Sequence, residues 1–234
     1  MIYIEHHLTP PPQLKKRFDE GIPENPAKEW DSFKQRKKAK KTAGKELKEN
    51  LSHIQNGLCV YCEIRLDTEI GSHLEHIDSK TANPPLTFEY TNIIASCLKD
   101  GTIRDNTDLN PVSCGHYFLK KNNLYNKHFF IKPTELNCES FFSYNLFGEI
   151  EPAQGLSEFD KQRAEHTIET LNLNALRLTR QRDKVINEGY EIIRDLKNQG
   201  TSLEYFLDSE LNLVNNKYFS FINLRKEHFK DFLK

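Results

Sequence analysis

Cys59-Val60-Tyr61-Cys62-Glu63, then Leu74-Glu75-His76-Ile77-Asp78, then Tyr90-Thr91-Asn92-Ile93-Ile94-Ala95-Ser96-Cys97, is the stretch that decides how this chain is read. Two cysteines separated by two residues can present both thiolates to one ion from a tight turn. A tetrahedral site needs a second pair, and Cys97 and Cys114 are the candidates, although sixteen residues lie between them. A structural zinc on Cys59, Cys62, Cys97 and Cys114 would close the base of the polar loop between the two later cysteines, with His116 as the substitute for Cys114. Cys138 is left over. Ordinary buried thiols and a redox pair are the competing readings. No strand–CxxC–helix pattern surrounds Cys59 to favour the redox one.

The second signal is the acidic–histidine pair Glu75-His76, followed by Asn92 and His116. Hydrolysing a phosphodiester needs a base for water, a divalent ion for the charge that grows on the phosphate, and a frame holding both. An imidazole, with an unperturbed pKa of ~6.5, is largely neutral near pH 7 and suits the base, here His76. A hard ion such as Mg²⁺ or Mn²⁺ takes oxygen ligands, and Glu75 can supply one. Asn92 is expected at the start of a short helix over 88–97, where it orients the base or shapes the ion site. His116 completes the ion site from the other end. His73, two residues from Glu75, projects to the same side of an extended strand and is a reserve ligand. Each residue alone is weak, since an Asn before a helix is commonly only a cap. The order carries the information: CxxC, acid–His, Asn, Cys, then Cys114-Gly115-His116 and the pair Lys120–Lys121.

Working outward, five prolines between Pro10 and Pro26 predict an extended N-terminal segment that wraps a core built elsewhere. A helix is expected from a cap near Asp31 or Ser32 to about Ile54. It carries Lys34, Arg36, Lys37, Lys38, Lys40, Lys41, Lys45 and Lys48, read equally as a solvated face and as a phosphate-contacting one. Leu58 to Leu66 reads as a short hairpin, Ser72 to Ile77 as a strand, and residues 98–113 as a polar loop. A hairpin with its turn at Gly148 is expected over 133–152. Helices follow over 158–171, 175–199 and roughly 202–233, their apolar stripes read as core or partner interface. Arg177, Arg180 and Arg182 are read as phosphate contacts or solvated charge.

The formal net charge of -1 leaves no global positive field to draw in a polyanion, so any nucleic-acid site rests on local clusters, a metal or a partner. The candidate cluster residues are Lys37, Lys38, Lys40, Lys41, Lys120 and Lys121. Aromatics at 11% argue against disorder. No apolar run is long enough to span a bilayer and no secretory pattern opens the chain, so a cytoplasmic location with reduced thiols is expected.

Cys59-x-Tyr61-Cys62-Glu63, Leu74-Glu75-His76-Ile77-Asp78-x-Lys80, Tyr90-x-Asn92-Ile93-Ile94-x-x-Cys97 and Cys114-Gly115-His116 together resemble the zinc-stabilised HNH endonucleases. More narrowly, the chain resembles the HNH subunit of Septu-type anti-phage systems, the PtuB type, also found beside some retrons. The likeness extends over roughly residues 1–193, including Ile2-Tyr3-Ile4 and Leu171-Asn172-Leu173-Asn174. It implies an α+β fold, with a small zinc-stabilised ββα-metal core embedded in a mainly helical protein. The parts would be an N-terminal wrap and basic helix over 1–55, a nuclease core over 56–130, and a helical, partner-binding region over 131–234. It implies His76 as general base, with Glu75, Asn92 and His116 around the ion or the base. It also implies an ABC-type ATPase partner of the PtuA type and, in retron settings, a reverse transcriptase with its RNA and DNA. DNA is the favoured substrate, with tRNA or other RNA open to the same chemistry. The chain departs from the common pattern in the long gap between Cys97 and Cys114 and in Tyr117-Phe118-Leu119-Lys120 after His116.

A zinc-dependent adaptor for nucleic acid or protein is the non-catalytic alternative, and a helical interaction subunit a third. An adaptor keeps the cysteines and basic residues but has no need of Glu75, His76 or Asn92.

Overall fold

The computed structural model describes residues 1–38, 41–100, 112–118 and 125–233. Lys40, Lys120 and Lys121 lie outside the described residues, as does most of the polar loop.

The N-terminal segment does wrap the core. Ile2 N–H donates to the Val60 carbonyl and Ile4 N–H to that of Pro133, both at 2.9 Å, while Met1, Ile2 and Ile4 are buried. The prolines also start a helix, α1 (Pro12–Asp19), because a proline's fixed φ suits the first helical position. Helix α2 (Pro26–Gln35) is capped by Asn25, which accepts from Lys28 N–H at 3.1 Å, and buries Trp30 and Phe33.

One helix was expected up to Ile54; two form. Between them, the short strands β1 (Lys37–Lys38) and β2 (Lys41–Thr42) pair antiparallel. Thr42 then caps α3 (Ala43–Ile54), accepting from Lys45 N–H at 3.2 Å. The cap and the crowding of like charges outweigh the helix propensity of the lysines. Helix α3 buries Leu47, Leu51 and Ile54, a spacing that keeps one stripe on the core.

Residues 58–66 form a knuckle rather than two strands. Cys59 N–H donates to the Ile64 carbonyl at 2.8 Å and Glu63 N–H to that of Cys59 at 2.9 Å, with one bridge joining Leu58 and Arg65.

The central hairpin pairs β3 (Ser72–His76) antiparallel with β4 (Ile93–Cys97), with Ser72 opposite Cys97 and His76 opposite Ile93. The helix expected over 88–97 is therefore a strand, preceded by a 3₁₀ turn at Tyr90–Asn92. Strand β4 is buried along its whole length, so no alternation marks its period. Helix α4 (Gly115–Phe118) is a single turn after Cys114.

The second expected hairpin is present as β5 (Phe142–Tyr144) and β6 (Ile150–Pro152). Gly148 at its turn has φ +76°, and a Cβ there would strike backbone at Thr179 and Asp183. Helices α5 (Glu158–Leu171) and α6 (Leu176–Asn198) follow as expected. Leu178, Ile186 and Ile193 of α6 are buried, whereas Leu176 and Ile192 face outward. The last helical stretch is broken: α7 (Glu204–Leu211) and α8 (Ile222–Phe229) flank a turn at Asn215 and Asn216, both with left-handed φ. One cluster of buried side chains runs from Met1 to Leu224, and a smaller one joins Ile193, Leu207, Leu211 and Phe229. Among the described residues, no helix is long and apolar enough to cross a membrane.

Candidate functional site

Four cysteines from three places in the fold converge. The knuckle contributes Cys59 and Cys62, the end of β4 contributes Cys97, and the residue before α4 contributes Cys114. Their sulfurs all lie within 4.8 Å of one another, with Cys62 Sγ and Cys97 Sγ 3.6 Å apart, and all four are buried. A tetrahedral zinc with Zn–S distances of ~2.3 Å places its sulfurs about 3.8 Å apart, so the cluster fits such an ion. Cys114 is seated by its N–H, which donates to the Leu171 carbonyl at the end of α5 at 2.7 Å. Cys138 stands apart, its thiol pushed up to about 12 by burial.

Arg177, in the first turn of α6, reaches this cluster. Its Nη2 lies 3.5 Å from Cys97 Sγ and also hydrogen-bonds Ser113 Oγ. Arg177 and Arg182, expected as phosphate contacts or solvated charge, are both turned inward. Arg182 is fully buried, donating to the Leu173 carbonyl at 2.9 Å and lying against Tyr144 and Phe221. Arg180 alone of the three is exposed. No spacing in the sequence ties Arg177 to the cysteines, because the tie is purely tertiary.

On β3, His73 and Glu75 share a side, as alternate residues of a strand must. His73 Nδ1 bonds the Leu98 carbonyl at 2.7 Å. A carbonyl only accepts, so Nδ1 carries the proton and Nε2 of the neutral ring carries the lone pair. That Nε2 faces Glu75 Oε2 across 3.6 Å. Both atoms are buried, and among the described residues neither has a hydrogen-bond partner. Two lone-pair atoms so placed call for a cation between them, either a proton or a metal ion. Burial raises the Glu75 pKa, with His73 opposing; burial also works against a charge on His73, but the carboxylate outweighs it and holds that pKa up.

His116, on α4, stacks against His73 with ring centroids 3.9 Å apart, and its Nε2 also bonds the Leu98 carbonyl at 2.9 Å. Gly115 clears room for the carboxylate: a Cβ there would overlap Glu75 Oε2. His73 therefore lies between the Glu75 carboxylate, 3.6 Å from its Nε2, and the His116 ring, whose own Nε2 is taken by the Leu98 carbonyl.

His76 points to the other side of β3. Its Nε2 donates to the Thr87 carbonyl at 2.9 Å, and its ring meets Trp30 edge-on at 4.5 Å. Burial lowers its pKa to about 4, and Lys80 and Lys34 push the same way. His76 is thus neutral at pH 7, with its lone pair on Nδ1.

Asn92 heads no helix. Its Oδ1 accepts from Asp78 N–H at 2.8 Å, and its Nδ2 donates to the carbonyls of Asp78 and Leu86 at 3.0 and 3.1 Å. It ties both ends of the 78–86 loop, which leads from His76 towards Thr87.

The lysine run is dispersed. Lys37 and Lys38 lie on β1, and Lys41, on β2, pairs with Glu49 at 2.5 Å. Beside β3 opens a cleft of about 860 Å³ whose lining includes Lys34, Lys45, Lys48, His73 and Lys217. Lys48 donates to the Ser72 carbonyl at 2.6 Å, and Lys217 pairs with Asp67 at 2.9 Å, so much of this positive charge is already engaged.

No family model matches the chain. Two curated proteins are similar to it. One, named "Retron Vc95 putative HNH endonuclease", is from Vibrio cholerae serotype O1 biovar El Tor; it is 31% identical over 156 residues, which cover 65% of this chain and 69% of that protein. The other, named "Retron Ec83 putative HNH endonuclease", is from Escherichia coli; it is 30% identical over 188 residues, covering 70% of this chain and 72% of that protein.

Proposed function

The chain belongs to the HNH endonuclease family, and from that premise we propose that it is a metal-dependent nuclease cleaving phosphodiester bonds in nucleic acid, with His76 as general base. The observation that carries this reading is His76 itself, a buried neutral imidazole whose Nε2–H is held by the Thr87 carbonyl, which leaves its lone pair on Nδ1.

In this reading Nδ1 of His76 takes the proton from the attacking water, while the Thr87 carbonyl holds the ring and stabilises the imidazolium that forms. Glu75 and His116, with His73 in reserve, would hold the catalytic ion, Mg²⁺ or Mn²⁺, which would supply neutralisation of charge on the phosphate and the leaving oxygen. Asn92 acts on the loop rather than on the phosphate, keeping Thr87 in place for His76. Cys59, Cys62, Cys97 and Cys114 would hold a structural zinc, since four thiolates leave no open position. Strands β3 and β4 with α4 stand for the ββα-metal core. Lys37, Lys38, Lys40, Lys41, Lys120 and Lys121 contact the backbone of the substrate, which is DNA in preference to RNA.

The names of the relatives support a place beside a retron, and we read that place as one with the retron's reverse transcriptase and nucleic acid, in anti-phage defence. We extend this to a PtuB-like effector governed by an ABC-type ATPase, which would supply the grip on nucleic acid that a net charge of -1 does not.

The test is cleavage of plasmid DNA and total tRNA by wild type and His76→Ala, each alone and with the cognate ATPase, in Mg²⁺, Mn²⁺ or EDTA. Metal-dependent cleavage lost in His76→Ala, with the circular dichroism spectrum unchanged, is the expected result. A variant that cuts as well as wild type, or a complex that cuts neither substrate, returns the protein to the adaptor reading.

A further inference from the structure

Four thiolates around a divalent cation carry a net charge of two minus. Burying that charge is costly unless a cation compensates it. All four cysteines are buried, and the guanidinium of Arg177 is the positive group the structure places against them.

The details favour a role beyond packing. Nη2 of Arg177 lies 3.5 Å from Cys97 Sγ. The same nitrogen bonds Ser113 Oγ, whose residue immediately precedes Cys114. Arg177 therefore bridges the two later cysteines, the pair separated by the long loop. Its Nε and Nη1 atoms are buried and, among the described residues, have no hydrogen-bond partner. Among those residues no ion pair joins Arg177 to a carboxylate either. A guanidinium beside four neutral thiols would be a buried charge without a counter-charge. Beside a metal–thiolate centre it has one, and its charge-assisted hydrogen bond to sulfur gains strength.

We propose that Arg177 is a positioning residue of the four-cysteine metal centre: it balances the thiolate charge and fixes Cys97 relative to Cys114, so that helix α6 sets how tightly the centre holds its ion. This rests on the metal-site reading but not on nuclease activity. Partners of this kind around a metal site are commonly worth 10–100-fold in affinity.

The test uses the full chain loaded with zinc. Affinity is measured by competition with a chromogenic chelator, release by the rate of zinc transfer to it, and geometry by the thiolate-to-metal band after Co²⁺ replaces zinc. Arg177→Met keeps the stem and removes the charge; it is expected to lower zinc affinity by about tenfold or more and to speed release. Arg177→Lys keeps the charge and should recover most of the loss. Ser113→Ala should speed release to a smaller extent, and with Arg177→Lys it carries the test if Arg177→Met does not fold. Met and Lys variants of equal affinity, or a Ser113→Ala variant and a folded Arg177→Met that both release zinc at the wild-type rate, would overturn the proposal. Wild type that binds no zinc or Co²⁺ overturns the metal-site reading and this proposal together; the expected zinc effects of the Arg177 variants in a protein that cuts no nucleic acid support this proposal and overturn the nuclease reading alone.

Discussion

The Nε2 of His76 donates to the carbonyl oxygen of Thr87 at 2.9 Å, and this single bond decides which ring nitrogen can act as a base. Because the carbonyl cannot donate, the neutral ring keeps its proton on Nε2 and its lone pair on Nδ1. Nitrogen NMR of histidine-labelled protein should show that tautomer for His76 at pH 7. Loss of the base in His76→Ala should lower cleavage by roughly 10²-fold or more. A spectrum with the proton on Nδ1 would remove the base from the mechanism.

Gly115 and Glu75 make a second, steric prediction. A Cβ at position 115 would overlap the Glu75 carboxylate, so Gly115→Ala must displace either α4 or the acid. Overpacking of this kind costs about 1–3 kcal/mol, and here it also moves a proposed ion ligand. Denaturant melts and cleavage assays on the variant should both register a loss. Wild-type behaviour in both would mean that Glu75 is free to swing and is not held for an ion.

Asn92 holds its loop through three backbone hydrogen bonds. Asn92→Asp keeps the acceptor and loses both Nδ2 donors, leaving the half-buried carbonyls of Asp78 and Leu86 without them. A destabilisation of roughly 1–3 kcal/mol is expected, together with faster proteolysis between residues 78 and 86. Lost cleavage without faster proteolysis would assign Asn92 to the reacting atoms instead of the loop.

Removal of the structural ion should unfold the knuckle. Cys62→Ser, or treatment with a strong chelator, is expected to lower the zinc content and the melting temperature together, because binding energy at such a site is folding energy. Cys138→Ser should leave the zinc content unchanged, since Cys138 stands outside the cluster. Equal zinc in wild type and Cys62→Ser would refute the four-cysteine centre.

His6 offers a pH test away from the metal sites. Its ring packs edge-on against Tyr90 and bonds the Ile93 carbonyl at 2.9 Å, and burial lowers its pKa despite opposing help from that bond and from Glu89. A lowered folded-state value means that the unfolded chain binds the proton more readily. Stability from His6 is therefore complete above the unfolded value of ~6.5 and is lost as pH falls from there towards the folded value. The stability difference between wild type and His6→Gln should shrink from pH 7.5 to pH 5. A difference that stays constant would show that His6 keeps its ordinary pKa.

Much of the local structure was legible. The apolar stripes of α5 and α6 and the turn at Gly148 are short-range signals, and the structure agrees with them. Strand β4 was not legible: Ile93, Ile94, Ala95 and Cys97 are all fully buried, and a segment buried on both faces shows no period. The break between α2 and α3 was hidden because lysine suits a helix and a charged hairpin alike, and only the cap at Thr42 marks it.

What the sequence determined by itself was the inventory and order of the chemistry: paired cysteines, an acid beside a histidine, an asparagine, then a cysteine and a histidine. Spacing of that kind is local, and residues two or three apart have few ways to face one another. The tertiary structure alone decided which groups meet. It stacked His116 on His73, cleared Gly115 for Glu75, turned Asn92 onto a loop, and brought Arg177 to Cys97 from 80 positions away. Those relationships depend on how hairpin, knuckle and helices pack around one core, and packing leaves no periodic mark in the chain.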